Sequence, residues 1–119
     1  MYSAKSKLVE KPWGYEIIWA MADKYVGKIL HINSGHSLSR QYHKVKEETI
    51  RVLSGSMNLE ISNADNTQVQ VFNLKSGDVF HISPQTIHRM VALEDTDVVE
   101  VSTPELDDVV RLEDKYGRA

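Results

Sequence analysis

Short segments in which apolar and polar residues alternate recur along the chain, separated by turn signals at intervals of roughly 8–12 residues. Residues 25–32 illustrate the pattern, because Val26, Leu30 and Ile32 would share one face of an extended strand. Lys28 would point to the same face. Many short, evenly spaced strands predict an all-β fold, an antiparallel barrel or jelly roll. The other predicted strands are residues 16–19, 49–53, 57–61, 69–74, 79–82, 88–93 and 98–102.

Length, charge and cysteine content limit the class of protein. The chain has 119 residues, which suits one domain spanning residues 1–119 around a single core. A formal net charge of −3, with basic residues scattered, argues against nucleic acid or an anionic membrane as a partner. The chain has no cysteine, so it can form neither a disulfide framework nor a thiol nucleophile. Because it shows neither a signal peptide nor a membrane span, we predict a cytoplasmic protein.

A group of polar residues stands at spacings that suit a metal site. Gln41 and His43 are two residues apart, which places both side chains on the same face of a strand. A turn through residues 44–47 would bring Glu48 back opposite them, and His88 opens another apolar segment. A single buried histidine is more often an ordinary core residue, but burying several polar groups together is unfavourable unless they share a partner. We therefore predict that Gln41, His43, Glu48 and His88 bind one divalent metal ion, zinc or another first-row transition metal.

The spacing of this group resembles the first motif of the cupin barrels. Gly35 is followed after five residues by Gln41, four residues separate His43 from Glu48, and six more lead to Gly55. The resemblance implies a cupin fold, a double-stranded β-helix or jelly-roll barrel, with the metal ligands facing the interior. The second cupin motif is matched more loosely by Gly77 and His88, with Ser83, Gln85 and Ala92 where Pro, Gly and Asn are common.

Three stretches resemble one subfamily, the cupin domain of type II mannose-6-phosphate isomerases, which bifunctional enzymes carry after a mannose-1-phosphate guanylyltransferase domain. They are residues 11–14 (KPWG), 38–43 (LSRQYH) and 107–118 (DDVVRLEDKYGR). The resemblance implies interconversion of mannose 6-phosphate and fructose 6-phosphate, with the same four metal ligands. The chain departs from the subfamily pattern at Lys46, Ile50 and Ser83, where Arg, an aromatic residue and Pro are usual. Charged residues that the resemblance places near the site are Lys28, Arg89, Glu100, Arg111 and Arg118.

The chemistry of such an isomerase assigns roles to some of these residues. An aldose–ketose isomerisation moves a proton between C1 and C2 through an enediolate, so it needs charge stabilisation and a general base. Glu100 is the candidate base, because it lies in an apolar strand where burial would raise its pKa. An outward-facing position of Glu100 is the alternative. Lys28, Arg89 and Arg111 could bind a phosphate group, although Lys28 could instead extend to water at a strand end.

Two other classes of function stay open. One is another small metal-dependent cupin enzyme, such as an oxygenase, a lyase or an epimerase. The other is a sugar-binding module without turnover. An iron oxygenase would more often carry three histidines, and a metal-free epimerase would not need the full ligand set. The fold alone does not choose among these functions.

Several local features lead to separate predictions. Trp13 is expected to be a core or interface residue, or else the floor of a sugar site. A homodimer is expected, because small cupins expose strand edges and the Trp13 segment could cover a partner's sheet. Thr103 and Pro104 have the pattern of a helix start, so residues 106–112 are predicted as a short helix or a final edge strand. Residues 63–67 are predicted as a hairpin loop.

Overall fold

The computed structural model describes residues 6–62, 65 and 67–119, and their regular structure consists of β-strands. The predicted hairpin loop at residues 63–67 falls mostly outside these residues. Within the described ranges no helix is long and apolar enough to cross a lipid bilayer. The strands are β1 (Lys7–Lys11), β2 (Gly14–Met21), β3 (Val26–Ile32), β4 (Arg40–Tyr42), β5 (Glu48–Ser54), β6 (Ser56–Ser62), β7 (Val69–Lys75), β8 (Val79–Ile82), β9 (Ile87–Ala92), β10 (Thr96–Ser102) and β11 (Val110–Glu113).

The strands form two antiparallel sheets. The six-stranded sheet has the order β1-β2-β3-β10-β5-β8, and the five-stranded sheet has the order β11-β4-β9-β6-β7. Strands distant in sequence lie side by side, such as β3 with β10 and β4 with β9, because the chain crosses repeatedly between the sheets. This arrangement confirms the predicted all-β antiparallel fold.

Alternation along the strands separates the core from the surface. In β5, Ile50 and Val52 are fully buried, whereas the intervening Arg51 is exposed. Each fully buried apolar side chain of this size contributes about 1.5–3 kcal/mol to folding. Trp13, only 3% exposed, belongs to this core and is therefore not the interface residue that one prediction allowed. The core comprises Trp13, Leu30, Ile32, Ile50, Val52, Met57, Leu59, Leu74, Ile82, Met90, Ala92 and Val98.

Backbone conformation explains why glycines flank the predicted metal motif. Gly35 has a φ of 80° and Gly55 a φ of 87°, both in the left-handed region that favours glycine. A Cβ atom on Gly55 would also lie 2.3 Å from the backbone oxygen of Asp95. Gln85 stands where the second cupin motif usually has glycine, and it too has a positive φ, of 66°. Its N–H donates to the backbone oxygen of His43 at 2.6 Å, which ties this turn to the metal motif.

The segment after Thr103 forms a turn and an edge strand rather than a helix. The Thr103 hydroxyl accepts a hydrogen bond from the Glu47 N–H at 3.0 Å, so it is not free to cap a helix. The backbone N–H of Thr103 donates in turn to the oxygen of Glu47. Residues 110–113 then pair with β4 as β11. Of the two predicted alternatives, the structure has the edge strand.

Candidate metal centre

The predicted ligands come from three strands of the two sheets and from one loop. Gln41 of β4 lies directly opposite His88 of β9 in the strand register, so both side chains point to the same sheet face. Glu48 is the first residue of β5 in the other sheet. His43 follows the end of β4 by one residue. The structure brings all four side chains to one cavity between the sheets.

Three of these side chains form a compact buried cluster. The Nε2 atoms of His88 and His43 lie 3.4 Å and 3.7 Å from the same carboxylate oxygen of Glu48. Potential ligand atoms of all three residues lie within 4.8 Å of one another. His43, Glu48 and His88 are each less than 5% exposed. The sequence spacing therefore corresponds to a real convergence in space.

The hydrogen bonds around the cluster leave the atoms that a metal would need without partners. The Nδ1 atom of His88 bonds to the backbone oxygen of Thr86 at 2.8 Å, and that of His43 bonds to the backbone oxygen of Asp108. Because a carbonyl only accepts, each Nδ1 must carry a proton, so in the neutral ring each Nε2 presents a lone pair. Both Nε2 atoms are buried with no hydrogen-bond partner among the described residues. Buried polar atoms of this kind are rare, and their donor chemistry fits a divalent cation.

Gln41 differs from the other predicted ligands in having a polar partner. Its Oε1 atom accepts a hydrogen bond from the Ser39 hydroxyl at 2.5 Å. The amide lines the cavity beside the cluster, with its orientation set by this bond. Gln41 is therefore placed to join a metal site, and its role as a ligand stays a prediction.

The cavity that contains the cluster has a volume of about 270 Å³. Its wall includes apolar side chains such as Trp13, Leu30 and Met90. The remaining wall is rich in charge from both sheets and from the C-terminal segment. The charged residues that line it, apart from the cluster, are Lys7, Lys11, Glu16, Lys28, Lys46, Glu100, Asp107, Arg111 and Arg118.

Residues 28–103, more than half of the chain, match the family described as "Cupin domain". The chain belongs to the cupin family. No curated protein sequence matches it significantly.

Solved structures share the cupin fold at low sequence identity. The capsular polysaccharide assembling protein CapF from Staphylococcus aureus superimposes with a TM-score of 0.78 and 18% identity, over 94% of this chain and 34% of CapF. KdgF from Halomonas sp. gives a TM-score of 0.72 and 21% identity, over 89% of KdgF and 87% of this chain. Oxalate decarboxylase from Bacillus subtilis gives 0.78 and 14%, over 90% of this chain and 30% of that enzyme. These likenesses establish the fold alone, and the chain spans about a third of the length of CapF.

A buried lysine links the cluster of this cupin to a second carboxylate. The Nζ atom of Lys46 lies 3.2 Å from Glu100 Oε2 and 3.3 Å from Glu48 Oε2. Burial lowers the pKa of Lys46, but the two carboxylates outweigh burial and raise it above its usual value. Lys46 therefore stays charged. This role of Lys46 was not predicted from the sequence, where the residue stands out only as a departure from a family pattern. Its spacing of two residues from Glu48 is a signal for a shared face.

Glu100 points into the cavity, which decides between the two predicted orientations. In β10 it lies opposite Lys28 of β3 and Ile50 of β5, both of which face the interior. Burial raises the pKa of Glu100 to about 7, with the charge of Glu48 adding to the rise and those of Lys46 and Lys28 opposing it.

Glu48 carries the opposite shift. Burial would raise its pKa, but the adjacent imidazoles of His43 and His88 and the charge of Lys46 hold the pKa of Glu48 well below the usual range. Glu48 is therefore ionised at neutral pH, as a carboxylate that binds a metal must be.

Of the predicted substrate-binding cations, three line the cavity and one lies on the outer face of a sheet. Lys28 lines the cavity and pairs with Glu16 at 3.4 Å, so it does not extend to water. Arg118 lines the cavity and forms a two-pronged pair with Asp114. Arg111 also lines it, and its buried Nε atom has no hydrogen-bond partner in the described part of the chain.

Arg89 lies on the opposite face of the five-stranded sheet, which corrects its predicted position. Its neighbours in β9, His88 and Met90, are buried and line the cavity, so alternation turns Arg89 outward. There its guanidinium group pairs with Glu60 at 3.0 Å. This surface pairing leaves Arg89 outside the cavity.

Proposed function

We propose that this cupin is a metal-dependent sugar-phosphate isomerase that interconverts mannose 6-phosphate and fructose 6-phosphate. The observation that carries the proposal is the position of Glu100, a buried carboxylate in the same cavity as the His43–Glu48–His88 cluster and joined to it through Lys46. An isomerase needs a proton-transferring group beside a site that stabilises negative charge, and this arrangement supplies both.

His43, Glu48 and His88 would hold one divalent metal ion, zinc or another first-row metal, with Gln41 as a fourth ligand. When bound, such an ion supplies Lewis acidity toward sugar oxygens and so favours an enediolate. The chain contributes an ionised carboxylate and two imidazoles whose Nε2 atoms lie beside it, and all three side chains are buried.

Glu100 would act as the base. Its carboxylate would take the proton from C2 of the aldose and deliver it to C1, while the proton of the O2 hydroxyl passes to O1; the reverse transfers return the aldose. Lys46 lies beside it and would offset negative charge that develops on the substrate. Trp13 and Leu30 give the cavity an apolar wall against which the sugar's C–H groups could pack.

The cations of the cavity would bind the phosphate group. Arg111 is the strongest candidate, because it lines the cavity and has no ion pair with any described residue. Lys28 and Arg118 line the same cavity but share their charge with Glu16 and Asp114. Arg111 and Arg118 belong to the stretches that resemble type II mannose-6-phosphate isomerases. Lys11 and Trp13, which also line the cavity, belong to them as well.

Proton exchange at C2 tests the proposal. The metal-loaded protein is incubated with mannose 6-phosphate in deuterated water, and deuterium at C2 is measured by NMR. We expect exchange, and we expect Glu100→Gln to slow it roughly 10²–10⁴-fold with the metal content unchanged. Glu94→Gln, which alters an exposed carboxylate in a turn, is the control. If no sugar phosphate exchanges its C2 proton, the isomerase proposal fails.

A sugar-binding cupin without turnover is the second candidate. The ion pair between Lys46 and Glu100 favours it, because a carboxylate engaged with an ammonium group is a weaker base than a free one. Calorimetry that detects binding of mannose 6-phosphate by a protein without C2 exchange would support this function. Another metal-dependent cupin reaction would instead appear as product formation in a wider substrate screen.

A further inference from the structure

We infer that Asp108 is a positioning residue that orients His43 and holds the backbone of the loop behind it. The inference rests on the proposed metal site, to which His43 contributes. Asp108 belongs to the C-terminal segment and is separated from His43 by 65 residues. It acts through other groups and does not line the cavity.

The side chain of Asp108 binds three consecutive backbone amides. Its Oδ1 atom accepts from the N–H of Lys44 at 2.9 Å, and its Oδ2 atom accepts from those of Val45 and Lys46 at 2.7 Å and 2.9 Å. Hydrogen bonds to a charged acceptor are stronger than those between neutral groups. One carboxylate therefore holds the whole turn between His43 and Glu47.

The backbone of Asp108 binds the ligand itself. Its carbonyl oxygen accepts the Nδ1–H of His43, which leaves the His43 Nε2 lone pair facing Glu48. The same residue thus holds the loop backbone with its side chain and the imidazole with its main chain. A shift of Asp108 would release both.

His43 needs this support more than the other predicted ligands do. Gln41, Glu48 and His88 lie within strands, where ladder hydrogen bonds define the backbone position. His43 lies just beyond the end of β4, where its backbone oxygen accepts a hydrogen bond from the N–H of Gln85. Partners that orient a metal-binding imidazole typically change metal affinity 10–100-fold when they are removed.

The same loop offers a matched control. Thr103 holds its far end, accepting the Glu47 N–H through its hydroxyl at 3.0 Å, but has no hydrogen bond to His43. Thr103→Val removes one loop hydrogen bond and leaves the Asp108 contacts in place. If any loosening of the loop disturbed the metal site, Thr103→Val and Asp108→Ala would have similar effects.

Two measurements on the full chain test the inference without relying on turnover. The first is the affinity of the metal-free protein for cobalt(II), followed by its visible absorption. The second is the tautomer of His43 in the metal-free protein, from imidazole ¹⁵N NMR assigned with His43→Gln. Asp108→Ala keeps the backbone oxygen but removes the side-chain bonds that hold it in place against His43. We therefore expect cobalt affinity to fall 10–100-fold and the Nδ1–H tautomer of His43 to lose its dominance. Asp108→Asn, which keeps one acceptor oxygen, should fall between Asp108→Ala and the native protein, and Thr103→Val should change affinity less than about threefold.

The outcomes separate this inference from the proposed function. Native cobalt affinity and an unchanged His43 tautomer in Asp108→Ala would overturn the positioning role, as would an equal loss in Thr103→Val. If the native protein binds cobalt but shows no C2 exchange, the isomerase proposal fails and both measurements still decide the role of Asp108. If the native protein binds no cobalt, the proposed metal site is wrong. The tautomer measurement still applies, and an unchanged His43 tautomer in Asp108→Ala would show that Asp108 does not orient His43.

Discussion

Lys46 and Glu100 are 54 residues apart in sequence, yet their side chains meet inside the barrel with Nζ and Oε2 separated by 3.2 Å. Because Glu48 lies 3.3 Å from the same ammonium group, the buried Lys46 forms ion pairs with two buried carboxylates. Removing it would leave the ionised Glu48 without its cation in a poorly solvated interior. The relationship connects the candidate metal ligand with the candidate base.

The first prediction concerns the stability of this network. Lys46→Met should lower the free energy of unfolding of the metal-free protein by about 3–5 kcal/mol at neutral pH, because it removes the cation that pairs with both buried carboxyl groups. Urea denaturation measures the change. Lys46→Arg keeps the charge and should lose clearly less. Equal stabilities for Lys46→Met and the native protein would show that the ion pairs contribute nothing net.

The second prediction concerns pH and also applies to the metal-free protein. The pKa of Glu100 is raised by burial to about 7 from an ordinary value of 4.5. Between these values the folded chain binds a proton that the unfolded chain does not, so stability should fall as pH rises through this range, by at most about 3 kcal/mol. The contribution is complete below 4.5 and lost above 7. Urea midpoints across the range measure it, and Glu100→Gln should flatten that part of the profile.

The third prediction concerns metal content. The double variant His43→Ala with His88→Ala should retain no bound divalent metal, because it removes both imidazole ligands. Elemental analysis of protein purified without added metal measures this. His81→Ala, which removes a half-exposed imidazole outside the cavity, should bind metal like the native protein. Unchanged metal in the double variant would refute the assignment.

The fourth prediction compares two arginines on opposite faces of the structure. Arg111→Ala should raise the KM for a phosphorylated sugar roughly 10–100-fold, the value expected for losing a charge-assisted hydrogen bond. Arg89→Ala should leave KM unchanged, since its side chain pairs with Glu60 outside the cavity. Steady-state kinetics or calorimetry with mannose 6-phosphate distinguishes them. If the two variants behaved alike, the phosphate would not bind at Arg111.

The fifth prediction is the homodimer. Trp13 is buried and cannot provide the contact, but Leu8, Trp19 and Val101 are about half exposed in the six-stranded sheet. Trp19 packs over Gly27, which lies opposite Val101 in the register, so these apolar groups share the outer face. A second copy covering this face would bury them. Light scattering should show a dimer that Trp19→Ser dissociates and Val71→Ser, on the other sheet, does not; a native monomer at high concentration would contradict it.

Much of the fold and of the metal cluster could be predicted from local patterns. The alternation around Ile50 and Val52 defines a buried strand face, and the spacing of His43 and Glu48 places them across one turn. The same rule of alternation predicts that Arg89 lies outside the cavity, because it is adjacent to the inward-facing His88 in one strand. At this position the two-residue period of the strand predicts the observed orientation, whereas the family resemblance does not.

The sequence by itself determined which residues of each strand or turn face the core of the protein, because that depends on neighbours one to four positions away. Only the tertiary structure decided which of these residues meet. It brought Glu100 to Lys46 by placing β10 beside β5, and it brought the backbone oxygen of Asp108 to His43 by folding the C-terminal segment against β4. Contacts across such separations depend on sheet order and strand register. Those are set by the packing of the whole core, which no local pattern contains.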